Sequence, residues 1–179
     1  DFVTRLSHFG SKTRGSIFRL TDFFTLFYYK FIESNNAKDE RWWSNNMDSR
    51  SVSAWMGLSF ELVCLAHHRQ IKAALGIAGV QTLVCSWSSS TVDKGAQIDL
   101  VIDRKDETAN LCEMKYYSTV FAIDKGYEEK LRNKIAAFRE ETNTRKSLML
   151  TFVTTYGLKE NMYSGCVQSQ VLLDDLFKE

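Results

Sequence analysis

The C-terminal two-thirds of the chain alternates between apolar residues at helical spacing and short apolar runs bounded by turn residues. The first pattern predicts helices and the second predicts strands. The predicted helices are 54–75, 124–141 and 172–177, and the predicted strands are 81–87, one around Asp99, one around Glu113, 147–154 and 166–170. Because helices alternate with strands, we expect an α/β fold in which a mixed β-sheet is flanked by helices.

The N-terminal part has the pattern of a hairpin followed by a helix. Strand-like runs flank the polar, glycine-bounded segment 10–15, and they lie at 2–6 and 16–20. Thr21 or Asp22 can cap a helix through about residue 33, which is too aromatic to stand exposed and must therefore pack on something. This hairpin-plus-helix segment resembles the end of a winged-helix domain. A helical prefix that caps the following domain explains it equally well.

Residues 34–50 are polar apart from Trp42, Trp43 and Met47, which is typical of a linker. We expect the two tryptophans to anchor this segment by packing on the neighbouring core rather than by stacking on nucleic-acid bases. The predicted organisation has three parts, which are a hairpin and helix at 1–35, a linker at 36–50 and a larger domain at 51–179.

Composition narrows the functional class. The 179 residues are 44% hydrophobic and 25% charged, enough for one core and a small appendage. There is no apolar run of membrane-spanning length, no leader pattern and no paired cysteine motif, so we expect a cytoplasmic location with reduced thiols and no membrane contact. The chain begins with Asp1, which suggests a fragment, and it lacks the GxxxxGK[ST] motif, so we expect no ATP hydrolysis by this fragment itself.

A formal net charge of +1 argues against nucleic-acid binding driven by bulk charge, so contacts must come from local patches. One candidate patch comprises Lys12, Arg14 and Arg19. A second comprises Lys125, Lys130, Arg132 and Lys134, but these residues are interleaved with Glu128, Glu129, Glu140 and Glu141. We therefore interpret the second group as a solvated helix face.

The segment 96–117 carries the candidate chemistry. Glu113 and Lys115 are two residues apart in a predicted strand and so point to the same face. The polar turn at 104–110 folds the chain back, which predicts Asp99 roughly opposite Glu113 in an antiparallel pair. Ile98, Leu100 and Ile102 fill the alternate positions of the first strand. We expect these three to cover the core on one face and the carboxylates to share the other.

Two ionised carboxylates at that separation repel each other unless a cation lies between them or one is protonated. Oxygen ligands of this kind suit Mg²⁺, which also binds substrate phosphates, and the Lys115 ammonium is placed to assist an attacking water. The arrangement predicts phosphodiester chemistry. An ordinary surface ion pair between Glu113 and Lys115 is the simpler alternative.

Glu61 is the third acidic candidate. It lies at the edge of a predicted apolar stripe formed by Trp55, Leu58, Leu62, Leu65 and Ala66. From that edge its carboxylate can reach the sheet under the helix. Alternatively, Glu61 covers apolar surface with its stem and keeps its carboxylate in water.

The order Glu61 on a helix, Asp99 on a strand and Glu113-Met114-Lys115 on the next strand resembles the PD-(D/E)XK nucleases of the restriction-endonuclease-like superfamily. The resemblance covers 51–179 and extends to the C-terminal domain of bacterial and archaeal P-loop ATPases. Further supporting strings are GLSFELVCLAHHRQIKAALGI, KGAQIDLVIDR, LCEMKYY, FAIDKGYEEKLRNKIAAF and QVLLDDLF. Ile98 replaces the Pro of the motif, which supplies no catalytic group.

The resemblance implies that Asp99, Glu113 and the Met114 carbonyl bind Mg²⁺ or Mn²⁺. It also implies that Lys115 assists the water and that Glu61 supports the site as a possible further ligand. It implies DNA as substrate and an ATPase module upstream as partner. A second reading remains open, in which the domain is catalytically inactive and serves DNA or protein binding and regulation of the ATPase.

Overall fold

The computed structural model describes residues 2–11, 16–33, 39–89 and 95–178. It confirms the predicted α/β fold, because helices flank both faces of a mixed seven-stranded sheet with the strand order β2-β1-β3-β4-β5-β6-β7. The strands are β1 (Val3–His8), β2 (Ile17–Leu20), β3 (Thr82–Ser88), β4 (Gln97–Arg104), β5 (Thr108–Lys115), β6 (Ser147–Thr154) and β7 (Ser169–Leu172).

The helices are mostly short, apart from two that cover the sheet. They are α1 (Phe23–Phe27), α2 (Trp42–Asn46), α3 (Arg50–Ala66), α4 (His68–Ala74) and α5 (Lys125–Thr142). A π-helical turn, Tyr28–Ile32, extends α1, and 3₁₀ turns lie at Ser164–Cys166 and Leu173–Phe177.

The connections explain the direction of the central strands. β3, β4 and β5 form an antiparallel meander, whereas β5 and β6 are parallel. Parallel neighbours need a long crossover, and α5 supplies it. Asp124 caps α5 by accepting a 2.7 Å hydrogen bond from the Tyr127 amide, and Asn143 ends the helix in the left-handed conformation.

The sheet separates two apolar layers. The layer under α3 and α4 contains Phe60, Cys64, Ile71, Leu100, Ile102, Cys112, Met114, Val153, Val171 and Leu176. The layer under α5 contains Cys85, Trp87, Ile98, Val101, Leu111, Ala137 and Phe138, next to a cluster of Ile123, Leu131, Leu150 and Phe152. Each face of β4 and β5 is therefore covered by helices. A side chain at the end of either strand points toward α3 on one face or toward α5 on the other.

The predicted helix 54–75 differs from the structure in three respects. It starts earlier, at Arg50, because the Ser49 hydroxyl accepts from the Val52 amide. It is also interrupted at His67, which lies between the end of α3 and the start of α4. The predicted stripe is wrong in part, since Phe60 and Cys64 face the sheet. Of the stripe residues, Leu58 and Ala66 are exposed and Leu62 is buried.

The N-terminal segment packs through aromatic rings. Phe27 and Phe31 of α1 and its π-helical turn contact Trp43 at centroid distances of 5.4 and 5.7 Å. Phe31 also contacts Trp42 at 5.2 Å and Trp55 of α3 at 5.5 Å. Trp42 and Trp43 therefore pack on neighbouring elements, as expected, and the segment predicted as a linker contains the short helix α2.

The remaining differences lie at the ends of elements. The strand predicted at 166–170 is β7, shifted to Ser169–Leu172, and the last predicted helix is a 3₁₀ turn. The tip of the predicted hairpin at 12–15 and most of the serine-rich loop at 90–94 lie outside the described residues. Within the described ranges, no helix combines the length and apolar character needed to cross a membrane.

Replacing Phe138 of α5 measures how much the core under this helix contributes to the free energy of unfolding. Its side chain is fully buried, with ring centroids 4.8 Å from Phe9 and 5.2 Å from Trp87. Phe138→Ala should lower the free energy of unfolding by about 3 to 5 kcal/mol, because it removes buried area and leaves a cavity. Urea denaturation measures the change. Met162→Ala, at a side chain that is 85% exposed, is the control and should change stability by less than about 0.5 kcal/mol.

Candidate functional site

The ladder between β4 and β5 brings Asp99 and Glu113 to the same level of the sheet. Its outermost registered pair is Leu100 with Cys112, so the next residue outward is Asp99 on one strand and Glu113 on the other. The turn between the strands is tight, and Glu107 adopts a positive φ of 58° in it. Asp99 and Glu113, which are 14 positions apart in the sequence, therefore become cross-strand neighbours.

A β-bulge in β4 determines how Asp99 is presented. Cys85 of β3 pairs with Val101, but Trp87, two residues later, pairs with Ile98, so β4 holds one extra residue between these pairs. Bulges reorient side chains, and here the bulge contains Asp99. The prediction that Ile98 shares a face with Leu100 is wrong, because the bulge turns Ile98 into the layer under α5.

Asp99 is held by residues from outside the predicted motif. Its Oδ1 atom accepts hydrogen bonds from a terminal guanidinium nitrogen of Arg19 and from Gln97 Nε2, the latter at 2.7 Å. The Arg19 and Asp99 side chains are 15% and 24% exposed. This is a largely buried ion pair between β2 and β4, and two strands lie between them in the sheet order.

Glu113 faces the layer under α5, whereas Arg19, the partner of Asp99, lies on the side of α3, so the expectation that the two carboxylates share one face is wrong. Its neighbours Cys112 and Met114 lie in the core under α3, so Glu113 projects toward α5. There Oε1 accepts from the Tyr127 hydroxyl at 2.5 Å and Oε2 accepts from Lys134 Nζ at 2.6 Å. Burial and the Glu113 carboxylate both raise the pKa of the Tyr127 hydroxyl, so it remains a hydrogen-bond donor.

Lys115 lies on the same face as Glu113, with its Nζ atom 5.3 Å from the centre of the Tyr127 ring. Both residues open into a cavity of about 610 Å³ between the end of β5 and α5. Lys130 and Lys134 of α5 also line it. The cavity thus combines three ammonium groups, a carboxylate and a phenol.

Glu61 of α3 shares an electrostatic neighbourhood with the strand residues. Burial raises the pKa of its carboxyl above the ordinary 4.5, and the negative charge of Asp99 raises it further. Glu113 contributes in the same direction, whereas the cations Arg19 and Lys115 oppose the shift. The three predicted acids therefore influence one another, although they come from three elements.

The acids do not, however, form a closed ligand set. Across the described ranges no three His, Cys, Asp or Glu side chains are grouped so as to hold a metal ion. The Asp99 carboxylate pairs with Arg19, and the Glu113 carboxylate accepts hydrogen bonds from Tyr127 and Lys134. The Met114 side chain is buried under α3, which leaves only its backbone carbonyl as the predicted ligand. The donor set suits Mg²⁺ in kind, but two protein cations neutralise these carboxylates in this arrangement.

Sequence reasoning missed the roles of three residues. Tyr127 and Lys134 both contact Glu113, although the sequence predicts only a solvated helix face for Lys134. Their spacing from Lys130 and Leu131 places them on one side of α5, which was the available signal. Arg19 was assigned to a possible DNA-binding patch with Lys12 and Arg14. Those two residues lie outside the described part of the chain.

Comparisons of the chain with protein-family models, with curated proteins and with solved structures find no match. The site must therefore be interpreted from its own residues and geometry.

The raised pKa of Glu61 predicts a pH-dependent stability. An acid that binds its proton more tightly in the folded chain makes the free energy of unfolding fall as pH rises above its ordinary range. Glu61→Gln removes this charge, so the variant should be more stable than wild type at about pH 7, and the difference should shrink toward about pH 4. Urea denaturation at both pH values measures it. The exposed Glu129→Gln is the control, and an equal effect there would contradict the prediction.

Proposed function

We propose that this domain is a Mg²⁺-dependent nuclease of the PD-(D/E)XK type that cleaves phosphodiester bonds in DNA. The observation that carries the proposal is the cross-strand position of Asp99 beside Glu113, with Lys115 two residues further along the same face. Glu61 adds a third carboxylate within their electrostatic reach. Asp99 and Glu113 lie at the same level of two adjacent strands, in the chain order that the resemblance implies, and metal binding would require both carboxylates to leave their ion pairs with Arg19 and Lys134.

In this proposal each residue has a distinct task. Asp99, Glu113 and the Met114 carbonyl would hold the metal, and Glu61 would support or extend that set. When bound, Mg²⁺ supplies a water of lowered pKa and offsets charge on the phosphoryl oxygens. Lys115 would orient the attacking water and, with its own positive charge, stabilise the transition state.

The cavity between β5 and α5 supports a phosphate-bearing substrate. Lys115, Lys130 and Lys134 line it, and among the described lining residues Glu113 is the one carboxylate. Clustered ammonium groups attract phosphate oxygens even in a chain whose formal net charge is only +1. Local rather than bulk charge would then direct DNA to the site.

A second function has an observation in its favour. Asp99 and Glu113 are already neutralised by Arg19 and by Lys134, which is what a purely structural pair of carboxylates requires. In that case the domain would be catalytically inactive and would bind DNA or protein. By the same resemblance it would regulate an upstream ATPase module. We place either form in the cytoplasm, where its four free cysteines would stay reduced.

A measurement of divalent-ion binding distinguishes the metal-dependent nuclease from the inactive domain. Wild type should bind Mn²⁺ or Mg²⁺ in a calorimetric titration, and the double variant Asp99→Ala plus Glu113→Ala should not, because it lacks both carboxylate ligands. Asp103→Ala is a matched control. It removes an ion-paired aspartate from the same strand, 25% exposed against 24% for Asp99. Equal binding by wild type and the double variant would favour the inactive form.

Cleavage itself depends on Lys115. In a supercoiled-plasmid nicking assay with Mg²⁺, Lys115→Ala should be about a hundredfold slower than wild type or worse, since it loses the group that assists the water. Lys125→Ala, an exposed lysine at the start of α5, should nick at the wild-type rate. Undiminished nicking by Lys115→Ala would assign the activity to another site or to a contaminant.

A further inference from the structure

The ion pair between Arg19 and Asp99 joins two distant parts of the chain. Arg19 belongs to the edge strand β2, opposite Thr4 of β1, and its guanidinium reaches Asp99 of β4, 80 positions later in the sequence. Asp99 is also the proposed metal ligand in the bulge. The N-terminal hairpin β1–β2 therefore supplies the cation that neutralises this carboxylate.

The hairpin is joined to the rest of the sheet at one end. Among the described residues β1 pairs with β3 at Ser7 with Cys85 and His8 with Ser86, and Phe9 directly after it packs on Phe138 of α5, whereas β2, which carries Arg19, pairs with β1 alone. Beyond them a cavity of about 340 Å³ separates the hairpin from α3. Its walls are Thr4, Arg5, Leu6, Arg19, Thr21 and Phe23 on one side and Leu62, Leu65, Ala66, His68 and Val84 on the other. The β2 side of the hairpin, an edge strand with a cavity beneath it, can therefore open locally at a lower cost than the interior strands.

The second cation of the site is anchored differently. Lys134, which pairs with Glu113, lies in the middle of α5, and this helix buries Leu131, Ala137 and Phe138 against the sheet. Lys134 cannot withdraw with its helix without opening the core. Arg19 can withdraw with the hairpin, so the two cations are not equivalent.

We propose that the N-terminal hairpin is an autoinhibitory element in which Arg19 competes with the divalent cation for Asp99. The proposal rests on the nuclease function proposed above and adds its regulation. While the ion pair is closed, Arg19 neutralises the Asp99 charge and occupies its Oδ1 atom, so the apparent metal affinity is the affinity of the open form multiplied by the fraction of molecules in which the pair is open. A bound dication and a docked Arg19 therefore disfavour each other.

The first test measures Mn²⁺ affinity by calorimetry. Arg19→Ala should bind Mn²⁺ about tenfold more tightly than wild type or better, because Asp99 is then always available. Arg19→Gln, which keeps most of the stem and the hairpin packing but loses the charge, should behave in the same way and covers the case in which the alanine variant does not fold. Arg5→Ala is the matched control, an arginine of the same hairpin whose Nε donates to Ser16, and it should match wild type.

The outcomes separate the two proposals. Equal affinity in wild type and both Arg19 variants overturns the autoinhibitory role but leaves metal binding intact, provided that Asp99→Ala plus Glu113→Ala abolishes it. Weaker binding by the Arg19 variants also overturns it, because Arg19 would then position Asp99 for the metal. No binding by any variant overturns both the metal site and its regulation.

The second test uses unmodified protein and hydrogen exchange. Since competition is reciprocal, saturating Mg²⁺ should release Arg19 and speed amide exchange in β1 and β2. Amides of β6, an interior strand with mostly buried residues, should exchange at the same rate with and without Mg²⁺ and serve as the internal reference. Unchanged or slower exchange of the hairpin in Mg²⁺, under conditions where calorimetry shows the metal bound, would overturn the proposal.

Discussion

Neutralisation of two carboxylates at the ends of adjacent strands is the constraint on which the site depends. Asp99 and Glu113 lie at the same level of the β4–β5 ladder, where like charges repel. The fold offsets each charge with its own cation, Arg19 for one and Lys134 for the other. These two cations come from the N-terminal hairpin and from the crossover helix, so the electrostatics of the site link elements that are far apart in sequence.

The two pairs lie on different sides of the sheet, and this division follows from the backbone. Alternation along β5 sends Glu113 toward α5, whereas the bulge in β4 frees Asp99 from strict alternation and lets it meet Arg19. Glu61 approaches from α3 and retains its proton more readily because it is buried near both acids. A divalent cation bound by Asp99, Glu113 and Glu61 together would need carboxylates from both sides of the sheet to move toward one point.

Much of this arrangement is encoded locally and was predictable. The alternation at 147–154 predicted β6 with its observed bounds, and the apolar spacing in 124–141 predicted α5 to within one residue. The turn between β4 and β5 predicted Asp99 near Glu113, because a tight hairpin fixes its own register. Such features depend on neighbouring residues, which the sequence displays directly.

What escaped prediction depends on contacts between distant segments. The pairing of Arg19 with Asp99 requires the N-terminal hairpin to dock on the sheet. The periodicity of apolar residues does not predict such a contact between segments 80 positions apart. The buried face of α3 was misassigned because the helix is covered twice, by the sheet at Phe60 and by the hairpin side at Leu62. The sequence predicts a solvated charge for Lys134, since its partner Glu113 lies on another element.

The bulge in β4 makes the backbone course at the site sensitive to the length of the chain as well as to the side chains it carries. The additional residue between Ile98 and Val101 is a property of the backbone, so replacing one amino acid by another leaves the offset with β3 in place. Deleting one of the two residues between Ile98 and Val101 would restore regular pairing with Trp87 still opposite Ile98, and it would remove the extra position that presents Asp99 to Arg19. For this segment, a lost codon therefore alters the architecture of the site more than a missense change does.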